Sequence, residues 1–208
     1  VNLQKFNTLS IPVSAKFFCC VKNEEELKEA LVWAKSKKKK IFILGGGSNV
    51  LFSKDFPGLV IKNEIRGINL KKSKDRVAFV EAMSGENWTK LVDFTVKAKL
   101  YGLENLFLIY GTVGAAPVQN IGAYGVELKD SFFSLRALDL NSLKEKTFFS
   151  KDCRFAYRDS VFKNKYKGRY FILSVTFKLS YRKHFNLSYK GISEELVRQG
   201  VGKPELRD

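Results

Sequence analysis

The sequence predicts a mixed α/β fold in which helices and strands alternate over the first hundred residues and strands dominate afterwards. Three observations carry this. A capped amphipathic pattern at Asn23–Ser36 runs into the apolar stretch Ile41-Phe42-Ile43-Leu44. A second helical pattern near Trp88 follows two further short apolar runs. From Ser131 onward the chain reads as strands, the clearest being the alternation of Phe171, Leu173, Val175, Phe177 and Leu179 with Ile172, Ser174, Thr176, Lys178 and Ser180.

In the first helix, Asn23 is placed to cap and Glu26, three residues on, to complete a capping box. Leu27, Ala30, Leu31 and Ala34 recur at helical spacing, and three glutamates occupy the first turn, where the helix dipole favours them. The run Lys37–Lys40 then sits at the negative end of that dipole and reads as a solvated face. Ile41–Leu44 is a buried strand by its continuous apolarity. A second strand, Leu59-Val60-Ile61, follows the Phe56-Pro57-Gly58 turn, and a third covers Val77–Ala82. Leu91, Val92, Thr95 and Val96 mark one face of the second helix, which Gly102 is expected to stop. Strands at Phe133–Leu140 and Lys146–Phe149 flank an Asn141-Ser142 turn. The last strand is expected to show one core face and one mostly polar face, and a short helix is expected around Glu194–Arg198.

Composition bounds the function. The chain has 208 residues, 45% hydrophobic and 28% charged, enough to bury a core and too apolar for disorder. It begins at Val1 rather than Met, so trimming or fragmentation at that end is expected. No apolar run approaches the roughly 20 residues that span a bilayer, and no secretion signal is laid out at the start, so a cytoplasmic protein without a membrane partner is expected. Its three cysteines include the adjacent Cys19 and Cys20, and with one histidine, His184, no metal pattern can be assembled. The net charge of +16 suits either a nucleic-acid binder or a protein whose ligands carry phosphates. The clearest strand carries Phe on its apolar face rather than interleaved with basic residues, so no nucleic-acid partner is expected.

Two glycine-rich loops carry the functional signal. The first, Gly45-Gly46-Gly47-Ser48-Asn49, leaves a strand, so that backbone amides can approach a phosphate and the Ser and Asn side chains add donors. It is neither a dinucleotide fingerprint, whose third glycine slot holds Val50, nor a Walker A loop, which needs Gly-Lys before Ser or Thr. The second runs from Gly111 to Glu127 with four glycines and three alanines, leaving room for a planar ring lying on backbone. The alternative for this loop is close packing of backbone on backbone.

The stretches Ile43–Asn63 (ILGGGSNVLFSKDFPGLVIKN), Gly102–Leu128 (GLENLFLIYGTVGAAPVQNIGAYGVEL) and Cys153–Lys163 (CRFAYRDSVFK) resemble UDP-N-acetylenolpyruvoylglucosamine reductase, also called UDP-N-acetylmuramate dehydrogenase. Phe6-Asn7-Thr8 and Gly85-Glu86-Asn87-Trp88 agree with it as well, and the resemblance is weakest after Tyr189. It implies a two-lobed FAD-binding fold of the vanillyl-alcohol-oxidase type, with lobes at 1–63 and 64–182 and a segment at 183–208 leading toward a substrate domain that this sequence does not contain. It implies reduction of a UDP-sugar enolpyruvyl ether to UDP-N-acetylmuramate, with FAD as cofactor and NADPH as reductant, by a monomeric enzyme of peptidoglycan precursor synthesis.

By motif, the resemblance implies that Gly45, Gly46, Gly47, Ser48 and Asn49 bind the FAD diphosphate, with Val50 beside them in the cofactor site. Gly111, Thr112, Gly114 and Ala115 join the cofactor site, and Gln119, Asn120, Ile121, Gly122, Ala123 and Gly125 line the flavin ring. Arg158 is the implied catalytic residue, holding the substrate carboxylate, with Tyr157 and Tyr189 as substrate contacts. Tyr110 stands where the family usually has Pro, and Ala156 where Gly is common. The segment Gly-Ser-Phe-Phe-Lys-Asn-Pro, which carries the family's proton-donating serine, has no match, nor has its carboxy-terminal glutamate. The alternatives are a related flavin oxidase of the same fold, which His184's distance from the glycine loops disfavours, and a basic binding module without enzymatic activity.

Overall fold

The computed structural model describes residues 1–73 and 75–206. In chain order the elements are β1 (Ala15–Val21), α1 (Glu24–Ser36), β2 (Ile41–Leu44), β3 (Phe56–Asn63), β4 (Ile68–Lys72), β5 (Val77–Met83), α2 (Trp88–Lys97), β6 (Gly122–Ala123), β7 (Val126–Glu127), β8 (Phe132–Asp139), β9 (Glu145–Phe149), α3 (Ser150–Cys153), β10 (Tyr170–Ser180) and α4 (Lys190–Arg198). The mixed α/β expectation holds. A parallel sheet is ordered β1-β3-β2 and a five-stranded antiparallel sheet β4-β5-β10-β8-β9, with β6 and β7 forming a small hairpin.

Helix α1 begins as its residues dictate, with Asn23 Oδ1 accepting the Glu26 N–H at 2.8 Å. The expected capping box forms only by half. Glu26 accepts instead from the Lys22 N–H at 2.7 Å and from Asn23 Nδ2 at 2.9 Å, one residue further back than the box requires. Leu27, Leu31 and Ala34 are buried beneath it. Helix α2 is capped by Asn87 in the same way, but it ends at Lys97, ahead of the expected stop at Gly102. Lys99 takes a left-handed φ of 55° and the Leu100 N–H closes onto Thr95 O at 2.9 Å, so this turn ends the helix without a glycine. Strands β1 and β4 were not foreseen. Both are edge strands; β1 has irregular burial, whereas β4 alternates Ile68 and Leu70 with exposed Asn69 and Lys71 but over only five residues.

The expected polar face of the last strand holds at Thr176, Lys178 and Ser180 but is corrected by burial in its first half, since Ile172 and Ser174 are 7% and 1% exposed. Strand β10 is central, paired on both edges, and its register against β8 shifts between Ile172 and Ser174. A bulge of this kind turns the strand over. Phe171 and Leu173 pack with Val21, Leu27, Leu31 and Ile61 of the parallel unit, whereas Val175, Phe177 and Leu179 pack with Trp88, Leu91 and Leu135. One strand thus feeds two apolar clusters. At the carboxy-terminal end α4 is longer than the expected turn and has one buried side chain, Leu196.

Candidate functional site

The first glycine turn leaves β2 at the carboxyl end of the parallel sheet, where open α/β sheets place their ligands. Gly47 holds a left-handed φ of 74°, and a Cβ there would lie 2.1 Å from Phe6 O, so no other residue fits. The amino-terminal segment fixes the turn from outside, with the Thr8 N–H and Oγ1 donating to Gly47 O at 3.2 and 3.3 Å. Among the described residues, the amides of Gly46, Gly47, Ser48 and Asn49 donate to no protein group. Successive free amides around a left-handed residue form the concave donor array that binds anions.

The second loop is built differently. The Val113 N–H donates to Glu86 O and the Gly114 N–H to Ser84 O, both at 2.9 Å, and Trp88 donates to Gly111 O at 3.1 Å. Asn120, fully buried with a φ of 44°, accepts the Lys129 N–H through Oδ1 and donates to Ala156 O through Nδ2, both at 3.0 Å. Tyr124 and Gly125, at φ 48° and 78°, make the two-residue turn between β6 and β7 that requires both central residues left-handed.

The two loops meet. Ser48 Oγ donates to Tyr110 O at 3.1 Å, Asn49 Nδ2 donates to Gln119 Oε1 at 2.8 Å, and a Cβ on Gly46 would stand 3.0 Å from Gly111 Cα. They line one cavity of about 300 Å³, to which Gly45–Val50, Gly111, Thr112, Ala115, Gln119 and Ile121 all contribute. A neighbouring cavity of about 430 Å³ shares Ile43, Gly45, Thr112, Ala115 and Val118 with it and adds Gly114 and the start of β10. Cavities of this size, mostly apolar with a few directed donors, suit a dinucleotide cofactor, so the residues present fit one. Asn120, Gly122, Ala123 and Gly125 line neither cavity. A Cβ at Gly122 would meet Arg158 Nη1 at 2.6 Å, and Gly125 faces Ser188 and Asn186.

Arg158 sits in a tight turn closed by mutual bonds between Ala156 and Asp159, each N–H donating to the other's carbonyl at 3.1 Å. Its φ of 53° is uncommon for a side-chain-bearing residue, and such strain gathers at functional positions. Arg158 Nη2 donates to Gly122 O, and the guanidinium lies 5.5 Å from the Tyr157 ring. Ser160 Oγ donates to Val118 O at 2.7 Å, docking this segment on the second loop. Tyr157 is 82% exposed and does not pack into the core. Tyr189 meets Tyr124 edge to face at 5.4 Å, and Asn186 Nδ2 donates to Gly125 O at 3.2 Å. Arg158 and Tyr189 thus contact the same β6–β7 hairpin.

Three features were missed from the sequence. Lys62 donates from Nζ to Gly45 O, and burial, its main influence, draws its pKa below the ordinary lysine value. A lysine directly after the apolar run Leu59-Val60-Ile61 was the available signal. Lys163 lines the first cavity, and Thr8 lines two others beside it, of about 440 and 220 Å³. Cys153, by contrast, is an inert core residue, its thiol pushed up to about 12 by burial.

The FAD binding domain family matches residues 15–142. UDP-N-acetylenolpyruvoylglucosamine reductase of Flavobacterium johnsoniae is 44% identical over 208 residues, all of this chain and 61% of the relative. The enzyme of that name from Pseudomonas syringae pv. tomato is 45% identical over 204 residues, 98% of this chain and 60% of the relative. The chain therefore spans about three fifths of the length of these curated relatives. Among solved structures, UDP-N-acetylenolpyruvylglucosamine reductase from Thermus caldophilus superposes with a TM-score of 0.71 at 24% identity, covering 99% of this chain and 70% of that one. Cholesterol oxidase from Brevibacterium sterolicum does so with a TM-score of 0.59 at 18% identity, covering 78% and 34%. Both likenesses speak to the fold, which is the one expected. With the family match spanning more than half of the sequence, the chain belongs to the FAD binding domain family, and the expected cofactor, FAD, is borne out with it.

Proposed function

We propose that this chain is the FAD-binding part of an NADPH-dependent reductase that converts UDP-N-acetylglucosamine enolpyruvate to UDP-N-acetylmuramate in peptidoglycan precursor synthesis. The observation that carries the reading is the shared cavity of the two glycine loops, one offering free amides and the other a backbone floor, in a chain similar over its whole length to reductases of that name.

Bound FAD supplies the hydride carrier. Gly46 to Asn49 would hold its diphosphate through their amides, and Thr8 keeps that turn in shape from behind. Gln119 and Ile121, which line the shared cavity, would contact its ring, and Asn120 and Gly122 brace the loop through Lys129, Ala156 and Arg158. Arg158 holds the substrate carboxylate: one N–H is engaged by Gly122 O, leaving the other donors of its planar fork for the carboxylate. Because the turn fixes the guanidinium in advance, charge gathering on that carboxylate meets a cation that need not reorganise. Tyr157, exposed beside it, and Tyr189, across the hairpin, contact the sugar nucleotide. Residues 1–63 and 64–182 act as the two cofactor-holding lobes, and the segment from 183 leads away from them. The reading includes a monomeric, cytoplasmic protein without nucleic-acid or membrane partners; among the described residues no helix is long and apolar enough to cross a membrane.

The test is reconstitution. Protein expressed with this chain intact should purify yellow or take up FAD with flavin absorbance, and the full-length enzyme should oxidise NADPH only when the enolpyruvyl UDP-sugar is present. A colourless protein that cannot bind FAD, or turnover indifferent to that substrate, would overturn the reading.

A further inference from the structure

We infer that Lys62 is the cation of the first glycine turn: it ties down the Gly45 carbonyl and directs its remaining N–H donors at the anion that the amides of Gly46 to Asn49 receive. The inference rests on the reading of that turn as the diphosphate site and names a charged partner which the turn itself does not contain.

Lys62 lies on β3, the central strand of the parallel sheet, opposite Leu44 of β2 and Cys20 of β1. Leu44 is the last residue before the turn, so the register delivers the lysine to the point where the glycines begin. The ammonium has three N–H groups, and Gly45 O accepts one of them. A carbonyl orients a charge but does not neutralise it. Among the described residues neither Lys62 nor the nearby Arg66 forms an ion pair. Glu64 lies on the same side without pairing with either.

Lys62, Arg66, Thr8, Gly46, Ser48 and Thr112 line one cavity of about 220 Å³ against the free-amide turn. Glu64 lines the same cavity, but a half-buried cation with spare donors beside the free amides of the turn is suited to a charge-assisted contact with an anion. Burial lowers the Lys62 pKa, and the nearby Glu64 carboxylate opposes that shift. An exposed lysine would add only a screened surface attraction. This one is positioned to make a charge-assisted bond, which is stronger and geometrically specific.

The experiment is FAD titration of the full chain, stripped of flavin, followed by quenching of flavin fluorescence at low and high salt. The variants are Lys62→Met, Lys62→Arg and Lys62→Gln, the last standing in if Met fails to fold, and riboflavin is the ligand without a diphosphate. Lys62→Met should weaken FAD binding roughly ten- to a hundredfold and flatten its salt dependence, as loss of one charge-assisted contact does. Lys62→Arg should restore most of the affinity, and riboflavin binding should not distinguish the variants. Unchanged FAD affinity in Lys62→Met would overturn the inference while leaving the proposed function intact. Equal losses for FAD and riboflavin would also overturn it, by showing a prop for the turn rather than a contact to phosphate. Failure of the unsubstituted chain to bind FAD would instead remove the reading of the turn, and this inference with it.

Discussion

The two glycine loops look alike in composition and are used in opposite ways. In the loop at Gly45–Asn49 the amides from Gly46 onward are free among the described residues, and the protein grips the turn from behind, through Thr8, from the side, through Ser48 and Asn49, and at its first carbonyl, through Lys62. In the loop that starts at Gly111, Val113, Gly114, Ala115, Ala116, Val118, Asn120 and Ile121 all donate to protein carbonyls. The space that a side chain would fill is taken by Ser84 at Gly114 and by Arg158 at Gly122. Glycine in the first loop exposes donors, and in the second it lets backbone and side chains approach. Counting glycines does not distinguish the two; accounting for each N–H does.

Substitutions can break this contrast or sharpen it. Gly47→Ala combines a left-handed φ with a Cβ 2.1 Å from a backbone oxygen, so it should cost at least about 3 kcal/mol in chemical denaturation and abolish FAD retention. Retention of FAD by a stable Gly47→Ala protein would dissolve the distinction. Arg158→Ala in the full-length enzyme should leave FAD bound but lower kcat/KM by roughly a hundred- to a thousandfold, the loss seen when a contact to developing charge is removed. Unchanged turnover would take Arg158 out of the mechanism. Gly114→Ala, whose Cβ would stand 2.5 Å from Ser84 Cβ, should lower stability by about 1–3 kcal/mol as overpacking does. The folded fraction should still bind FAD; flavin loss without a stability loss would show that the second loop serves the ligand directly.

The smallest effect expected is an acid one, remote from both loops. Asp139 accepts from Arg169 Nε at 2.8 Å and from the Asn141 and Ser142 N–H groups at 3.0 Å, and the Arg169 bond is the main reason its pKa is lowered from 3.8 to about 2. Because the folded value lies below the unfolded one, its contribution is fully present above about 4 and is lost as pH falls toward 2. Asp139→Asn should flatten that part of the stability profile, measured by denaturation between those limits, without altering FAD affinity at neutral pH.

Much of this was legible in the chain. The Asn23 cap, the helix starting near Trp88 and the strand running into Gly45 all follow from local residue chemistry. What escaped had its cause elsewhere in the chain. The β10 alternation implied a polar face, which holds at Thr176, Lys178 and Ser180, but a register shift buried its first half at Ile172 and Ser174. Asn120 reads as a donor toward a ligand and proves to be a buried brace, because its partners at Lys129 and Ala156 are remote in sequence. Lys62 reads as the polar end of a strand and is placed at the turn by pairing with β2.

The bulge in β10 also bears on how the molecule comes apart. Since Phe171 and Leu173 serve one apolar cluster and Val175, Phe177 and Leu179 the other, the strand cannot leave either without exposing both. Heating or denaturant should therefore dismantle the parallel and antiparallel units in a single cooperative transition, and a hydrogen-exchange profile should give the amides of β3 and β10 the same opening free energy.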